Sequence, residues 1–295
     1  MFKVRIPATT ANMGPGFDTL GMALKLYNEL EVEEINNKIE FLQNNEPSII
    51  PLEENLIYST MTKVFNIYNF KPKGFKINFS KCEVPVSRGL GSSATCISGG
   101  IAAANYLMGN ILSTEDFINI ATEIEGHPDN VVPSIVGGMT ISIKSGDNIT
   151  FSKVNIPSNI SFAVMIPGFK VSTESTRKVL PLSYSRTDCI FNISRAAMFI
   201  SAMQNKELDK LRLCLDDKIH QPYRKVFIEN IDDIFLKAEA FGSLGEFISG
   251  SGSTLIAVVE DSKAQIFENQ IKNYLSTLKN NWEFKILKPD LEGLK

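Results

Sequence analysis

The chain has 295 residues, a length that fits one large domain or two of ordinary size. Apolar residues make up 43% of the sequence, enough to form a hydrophobic core. The 30 basic and 33 acidic residues leave a net charge of −3, which excludes the strongly basic surface typical of nucleic-acid-binding proteins.

Cysteine and histidine are too few and too dispersed for most metal and redox sites. The four cysteines are Cys82, Cys96, Cys189 and Cys214. They are 14, 93 and 25 positions apart, so the chain has no C-x-x-C pair. His127 and His220 are the only histidines, which excludes a zinc site built on several imidazoles. We therefore predict reduced thiols in a cytoplasmic protein.

The sequence predicts neither a targeting signal nor a membrane span. Met1 is followed by alternating apolar and charged residues and then by Pro7, with no apolar h-region. The longest uncharged run, residues 89–114, has six Gly or Ser in its first eleven positions, which is atypical of a transmembrane helix. We expect a buried helix behind a loop, and no membrane partner.

In the first half of the chain, alternating apolar residues predict strands near residues 2–6, 30–32 and 75–79. A helix between them is indicated by apolar residues that share one helical face: Ile57, Met61, Val64, Phe65 and Tyr68. Ser113 and Asp116 form a capping-box pattern for a second helix, which is predicted to end before Gly126.

A hairpin is predicted next, with its turn at residues 145–148. Beyond it we expect strands near 162–166, 254–259 and 282–286. The helices expected there cover 174–180, a segment from a Thr187 cap towards Met203, and a segment with Phe267, Ile271, Tyr274, Leu275 and Leu278 on one face. This mixed order predicts an α+β protein with two domains, residues 1–150 and 151–295.

A glycine-rich segment at residues 85–95 is the most informative part of the sequence. It reads Pro85-Val86-Ser87-Arg88-Gly89-Leu90-Gly91-Ser92-Ser93-Ala94-Thr95. Glycines let backbone amides approach a ligand closely, and the uncharged helix-forming stretch that follows would place an anion at a helix N-terminus. The simpler alternative is a tight turn capped by serine at a buried helix.

Two familiar phosphate loops do not fit this segment. The pattern G-x-x-x-x-G-K-[ST] is absent, because no lysine follows a suitably placed glycine. Residues 89–94 do match G-x-G-x-x-A, but Pro85 interrupts the approach and the first acidic residues, Glu115 and Asp116, open a helix. We therefore reject a dinucleotide-binding loop.

Three further segments combine with this loop. They are residues 7–21 (PATTANMGPGFDTLG), residues 125–133 (EGHPDNVVP) and residues 249–254 (SGSGST). Together the four segments resemble the signature motifs of the GHMP small-molecule kinases, in the right order along nearly the whole chain. The N-terminal run, the EGHPDN block and residues 220–224 (HQPYR) look specifically like homoserine kinases within that superfamily.

The resemblance implies an N-terminal domain similar to the second domain of ribosomal protein S5 and a ferredoxin-like C-terminal domain, with the site at their junction. It implies transfer of the γ-phosphoryl group of ATP to the side-chain hydroxyl of L-homoserine, giving O-phospho-L-homoserine for threonine biosynthesis. Phosphoryl transfer needs mainly positioning and charge neutralisation, which glycine-loop amides, a metal and a few side chains can supply.

The resemblance also assigns the nucleotide and metal residues. Residues 85–95 would hold the phosphates of ATP, and Asn55 is a candidate for the adenine pocket. Ser93 would contact phosphate oxygens and Mg²⁺, while Glu125 would be the carboxylate that holds the ion. The alternative for Glu125 is a solvated charge at the end of a helix.

For the substrate, which carries both charges, Asp18 suits the ammonium group, and Arg177 and Arg224 suit the carboxylate. The other residues expected to line the substrate site are Asn12, Thr173, His127 and Asn130. The resemblance places His127 or Asn130 nearest the reacting hydroxyl. Asp129 stands where some GHMP relatives have a catalytic aspartate and is a candidate general base; the alternatives are that Asn130 points inward instead, or that the proton is lost to solvent or phosphate. The sequence leaves this choice open, as it does whether the chain forms a homodimer.

Two features depart from the family pattern. Ser253 stands where the third motif commonly has proline, and fewer residues separate Glu125 from His127 than in some homoserine kinases. Two alternative functions also stay open: a GHMP kinase acting on another substrate such as mevalonate, and an inactive binding module of the same fold.

Overall fold

The computed structural model describes residues 1–295 and contains two β-sheets. The first sheet has seven strands in the order β4-β3-β5-β2-β6-β7, with β1 paired to the free side of β2. Its strands are β1 (Phe2–Ala11), β2 (Leu20–Glu34), β3 (Ile39–Gln43), β4 (Glu46–Pro47), β5 (Phe75–Cys82), β6 (Met139–Ser145) and β7 (Asn148–Val154). Only the β3–β5 pair is parallel.

Four helices cover one face of this sheet. They are α1 (Leu56–Ile67), α2 (Ser92–Leu107), α3 (Thr114–Glu125) and α4 (Pro128–Val136). Their apolar faces form one core with Val4, Ile6 and Leu30 from the central strands. α2 is buried along most of its length, as predicted for a helix without charged residues.

The second sheet is antiparallel, with the strand order β11-β8-β10-β9. Its strands are β8 (Ile160–Pro167), β9 (Gly245–Ile248), β10 (Leu255–Glu260) and β11 (Trp282–Leu287). The helices of this half are α5 (Thr173–Lys178), α6 (Arg186–Asn205), α7 (Leu211–Cys214), α8 (Gln221–Arg224), α9 (Ile231–Ala240) and α10 (Ala264–Leu275). Because α9 and α10 pack on the same face of the sheet, the arrangement is ferredoxin-like, as expected.

A shared core joins the two sheets. Leu24 of the first sheet and Phe162 of the second belong to one buried apolar cluster, which also includes Phe199 of α6. The C-terminal segment returns to the first sheet, where the Lys295 N–H donates to the Arg5 carbonyl over 3.0 Å. The expected division at residue 150 falls inside β7, and we propose residues 155–159, between β7 and β8, as the division instead.

The helix-end predictions are mostly confirmed. Ser113 and Asp116 form the capping box of α3, and Gly126 ends that helix with a left-handed φ of 92°. The expected cap of α6 at Thr187 is wrong, because the Ser185 hydroxyl instead accepts from the Asp188 N–H. No helix combines the length and the apolar character that a bilayer crossing needs.

Candidate active site

The four sequence segments singled out above meet between the two sheets. The Ser249 hydroxyl donates to the Gly89 carbonyl over 2.5 Å, and the Gly250 N–H donates to the Ala11 carbonyl over 3.0 Å. The remaining segment joins them where the Thr9 hydroxyl donates to Asn130 Oδ1 over 2.8 Å. Residues as much as 239 positions apart in the chain thus form one site.

The glycine-rich loop makes a tight turn into the first turn of α2. Gly91 is the residue before that helix, with φ of 69°, and a Cβ built on it would lie 2.0 Å from the Thr9 hydroxyl. At Gly89, with φ of 76°, a Cβ would lie 2.2 Å from the Ser249 carbonyl oxygen. Both positions therefore require glycine, and the unpaired N–H groups of the helix start face the cavity beside them.

Several side chains of the loop point away from the cavity. Leu90, Ala94 and Thr95 are buried in the core, so a ligand can meet only their backbone. The Arg88 guanidinium donates to the carbonyls of Pro167 and Gly168, each over 2.9 Å. Arg88 therefore fixes the loop to the end of β8, although it also lines the cavity.

Ser93 and Glu125 come together as the resemblance implied. The Ser93 hydroxyl lies 2.6 and 2.8 Å from the two carboxylate oxygens of Glu125, which stands at the end of α3. Burial raises the pKa of Glu125, while the hydrogen bond from Ser93 opposes that rise. No lysine or arginine forms an ion pair with this carboxylate.

His127 and Asp129 form a second pair at the start of α4. His127 Nδ1 lies 2.5 Å from Asp129 Oδ1, and the Asp129 side chain is 1% exposed. Burial works against a charged imidazole, but the hydrogen bond and the charge of Asp129 dominate and raise the pKa of His127. Asp129 is therefore already engaged by the imidazole at its side.

The two residues expected at opposite ends of the substrate bind each other. Arg177 donates through Nη2 and Nη1 to the two oxygens of Asp18, over 2.7 and 3.1 Å. Asn12, expected as a lining residue, also acts on the protein: it donates to the Gly250 carbonyl and accepts from the Asp18 N–H. Three of the five Arg177 N–H groups are left for another acceptor.

Arg224 differs from Arg177 because it has no carboxylate partner. Its side chain is 1% exposed, its Nη1 donates to the Gly250 carbonyl over 2.8 Å, and its Nε has no acceptor. The guanidinium lies 5.1 Å from the ring centre of Phe17, and the Arg177 guanidinium lies 5.6 Å from the same ring centre. Burial and the charge of Arg177 lower the pKa of Arg224 to about 10, which still leaves it charged at neutral pH.

One cavity of about 620 Å³ connects these groups. The expected substrate residues other than Asp18 line this cavity, and so do Ser93 and Glu125. The Asp18 carboxylate lies beside it, within 4.8 Å of the lining side chains of His127 and Asp129. Asn55 also lines it, although its Oδ1 caps α1 by accepting from the N–H groups of Ile57 and Tyr58. The lining residues that sequence reasoning missed include Phe41, Gln43 and Phe79. Gly250 and Ser251 also line the cavity and belong to the third motif, residues 249–254, for which no individual site residues were predicted.

The serine that replaces proline in the third motif is accommodated in the fold. Ser253 is fully buried, and its hydroxyl donates to the Phe169 carbonyl over 2.8 Å. Neighbouring Ser251 faces the site, where its hydroxyl lies 3.1 Å from that of Thr173, the first residue of α5. The third motif therefore keeps its loop through side-chain hydrogen bonds.

Comparison with other proteins agrees with this arrangement. The family models of the GHMP kinase N-terminal and C-terminal domains match residues 55–138 and 199–277. Fold and site thus define a small-molecule kinase of the GHMP class.

The resemblance is strongest to one branch of that class. The chain is 58% identical to the homoserine kinase of Clostridium novyi, over 99% of this chain and 98% of that protein. It is 59% identical to the homoserine kinase of Clostridium kluyveri, over 99% and 97%. The chain belongs to the homoserine kinases.

Solved structures show the same fold. A homoserine kinase from Cytophaga hutchinsonii superposes with a TM-score of 0.87 at 26% identity, covering 99% of this chain and 96% of that one. Methanococcus jannaschii mevalonate kinase gives 0.73 at 16% identity, covering 98% of each chain. The second likeness concerns the fold alone.

Proposed function

We propose that the cavity binds ATP along residues 85–95 and L-homoserine beside Arg177 and Arg224. The γ-phosphoryl group of ATP is transferred to the side-chain hydroxyl of homoserine, and O-phospho-L-homoserine is released for threonine biosynthesis. Membership of the homoserine kinases supports this reaction. The observation that carries the substrate assignment is Arg224, a buried guanidinium with no carboxylate partner in the protein.

An α-amino acid supplies the charges that this site lacks. A buried cation without a counterion is unfavourable, and a substrate carboxylate between Arg224 and Arg177 would compensate it through charge-assisted hydrogen bonds. Asp18 lies beside the same arginines and can accept from the substrate ammonium while it keeps its bond to Arg177. Mevalonate has a carboxylate but no ammonium group, so Asp18 favours homoserine.

The rest of the cavity contains groups that can bind the phosphates and the base of ATP. The amides at Gly89, Gly91 and the start of α2 suit the phosphates, because the helix start presents free N–H groups and a positive dipole end. The apolar side chains of Phe41 and Phe79 offer a surface for the adenine ring. The Asn55 amide nitrogen, which the helix cap leaves free, can bind a polar edge of the base.

Mg²⁺ fits the donor set formed by Ser93 and Glu125. Oxygen ligands are those Mg²⁺ prefers, and one carboxylate with one hydroxyl suffices for an ion that keeps several waters. Glu125 also has no cationic side chain in an ion pair with it. When bound, the ion supplies positive charge to the phosphate oxygens in the transition state.

The homoserine hydroxyl loses a proton in the reaction, and Asp129 is the candidate to accept it. Its carboxylate binds His127 at 2.5 Å, so we propose that it orients the imidazole and that His127 and Asn130 contact the reacting hydroxyl. Replacement of Asp129 by asparagine is then expected to slow kcat by less than about a hundredfold, the lower limit usual for a lost general base. A loss near 10⁴-fold does not by itself identify the base, because a carboxylate that only orients a histidine can cost as much. A full further loss when Asp129→Asn is added to His127→Asn would identify Asp129 as the base.

An ADP-release assay over a panel of acceptors tests the reaction. Homoserine is expected to be phosphorylated with the highest kcat/KM, well above mevalonate, serine and galactose, and excess chelator should abolish turnover. A preference for mevalonate would assign the chain another GHMP reaction, and ADP release with no acceptor would contradict both.

We also propose a cytoplasmic enzyme without nucleic-acid or membrane partners. Whether it forms a homodimer is measured by light scattering of the purified chain, where a mass of 32.7 kDa is that of one copy.

A further inference from the structure

His220 lies next to the proposed carboxylate site without lining the cavity. Its side chain is 0% exposed, and it precedes the short helix α8 that carries Arg224. Its ring stacks on that of Phe17 with a centroid distance of 5.4 Å. The imidazole therefore packs against Phe17 and beside α8, the two groups that position the Arg224 guanidinium.

The hydrogen bonds of His220 define which nitrogen carries the proton. Nε2 lies 2.7 Å from the carbonyl oxygen of Gly14, which can only accept, so the hydrogen is on Nε2. Burial lowers the pKa of His220, which keeps the ring neutral. Nδ1 then has a free lone pair, and Arg224 Nη1, which can only donate, lies 3.4 Å from it.

The surrounding turn keeps the ring in this orientation. Asp217 Oδ2 accepts from the backbone N–H groups of His220 and Gln221, over 2.9 and 2.6 Å. The ring is thereby fixed between two partners. One is Gly14, in the loop that carries Asp18, and the other is Arg224, which lines the cavity. The same Arg224 Nη1 donates to the Gly250 carbonyl, so the guanidinium is held from two sides.

We propose that neutral His220 is a positioning residue for substrate recognition: through Nδ1 it orients the Arg224 guanidinium towards the homoserine carboxylate. This inference rests on the proposed function, because it concerns how the carboxylate is recognised. This role requires a side chain that donates to the Gly14 carbonyl and accepts from Arg224. The amide group of glutamine can approximate both functions, whereas leucine can do neither.

Kinetics of His220→Leu, His220→Gln and His220→Asn test the proposal. In the leucine variant, KM for homoserine should rise about 10- to 100-fold, the effect of a lost hydrogen bond to a charged group, while KM for ATP stays within about twofold. Glutamine should restore most of the affinity and the shorter asparagine less. If ATP and homoserine are affected alike, or if glutamine is no better than leucine in folded protein, His220 is only a core residue.

A double-mutant cycle separates this inference from the function it rests on. If His220 acts through Arg224, its replacement should have less than about a threefold further effect in an Arg224→Met background. Full additivity would overturn the positioning role. If the carboxylate assignment itself is wrong, Arg224→Met alone should slow homoserine and 3-amino-1-propanol, which lacks the carboxylate, in the same proportion.

Nitrogen-15 NMR of histidine-labelled wild-type enzyme gives a test that needs no folded leucine variant. The chain has two histidines, so a single His127→Asn sample assigns both. The His220 ring is expected to be neutral at pH 7.5 with its proton on Nε2. A proton on Nδ1, or on both nitrogens, would overturn the proposal, because no lone pair would then face Arg224.

Discussion

Replacement of Arg224 by methionine should weaken homoserine binding by about 2 to 5 kcal/mol and leave the fold about as stable as before. Most substitutions of a fully buried large side chain destabilise a protein by several kcal/mol. Arg224 is different because its charge is buried without a carboxylate partner. Methionine fills much of the same volume and carries no charge.

The opposing contributions can be compared from the structure. Burial lowers the pKa of Arg224 from 12.5 to about 10, which corresponds to about 3 kcal/mol of disfavour for the charged form. The substitution also removes the bond from Nη1 to the Gly250 carbonyl, worth about 1.5 to 3 kcal/mol for a charged donor. It removes the longer bond from Nη1 to His220 Nδ1 at 3.4 Å as well, worth about 1 to 1.5 kcal/mol. That carbonyl keeps its bond from Asn12, so it is not left unpaired. The free energy of unfolding should therefore change by about 1.5 kcal/mol or less.

Urea unfolding of wild type and variant measures this, with Arg212→Met as the matched control. Arg212 binds Glu246 over 2.9 Å, and the Glu246 side chain is 7% exposed. This change leaves a buried carboxylate with the Ser243 hydroxyl but without its cation, and it should destabilise by about 1 to 3 kcal/mol. Saturating homoserine should stabilise the wild type but not Arg224→Met. A loss above about 2 kcal/mol in Arg224→Met would show that the buried charge stabilises the fold, and equal stabilisation of both proteins by homoserine would show that Arg224 does not bind it.

Three further outcomes are expected. Glu125→Gln should lower kcat much more than it raises KM for homoserine, because the metal acts on charge that grows in the transition state, and full activity in excess chelator would contradict this. Gly91→Ala should impair ATP turnover, since its Cβ would meet the Thr9 hydroxyl at 2.0 Å. Gly109→Ala is the control and should keep its activity, because Gly109 is also left-handed, with φ of 88°, but a Cβ there has no neighbour within 4 Å. Similar kinetics for the two variants would exclude an effect of the close approach at Gly91. Burial raises the pKa of Cys96 to about 11, so its thiol is neutral. Cys96→Ser should therefore stay within about a hundredfold of wild-type kcat/KM, and a larger loss in folded protein would show that the thiol takes part in the reaction.

Elements with one buried face were predictable from periodicity, and elements buried on both faces were not. The helix α1 and the β6–β7 hairpin follow their apolar patterns closely. In β2 only residues 30–32 were expected, although the strand begins at Leu20. Residues 20–24 are buried on both faces, by helices on one side and by the second sheet on the other, so the sequence shows no alternation there.

The residues of the site were predictable as a group, but their partners were not. Motif context predicted Asp18 and Arg177 as substrate residues, but it could not predict their mutual ion pair, which joins positions 159 apart. The role of Phe17 between two guanidinium groups likewise depends on how separate segments meet. The cap of α6 is a different case, because it was predictable from the sequence. Ser185 with Asp188 three positions later is a capping pattern, but the neighbouring Thr187 is also a residue type that favours caps.

Recognition of the homoserine carboxylate by Arg177 and Arg224 is tested most directly by kcat/KM for homoserine and for 3-amino-1-propanol on the wild type, Arg177→Ala and Arg224→Ala. Each variant should lose about 2 to 5 kcal/mol of interaction with homoserine, far less with the amino alcohol, and little affinity for ATP. Equal proportional losses on the two acceptors would contradict a direct contact between these arginines and the carboxylate.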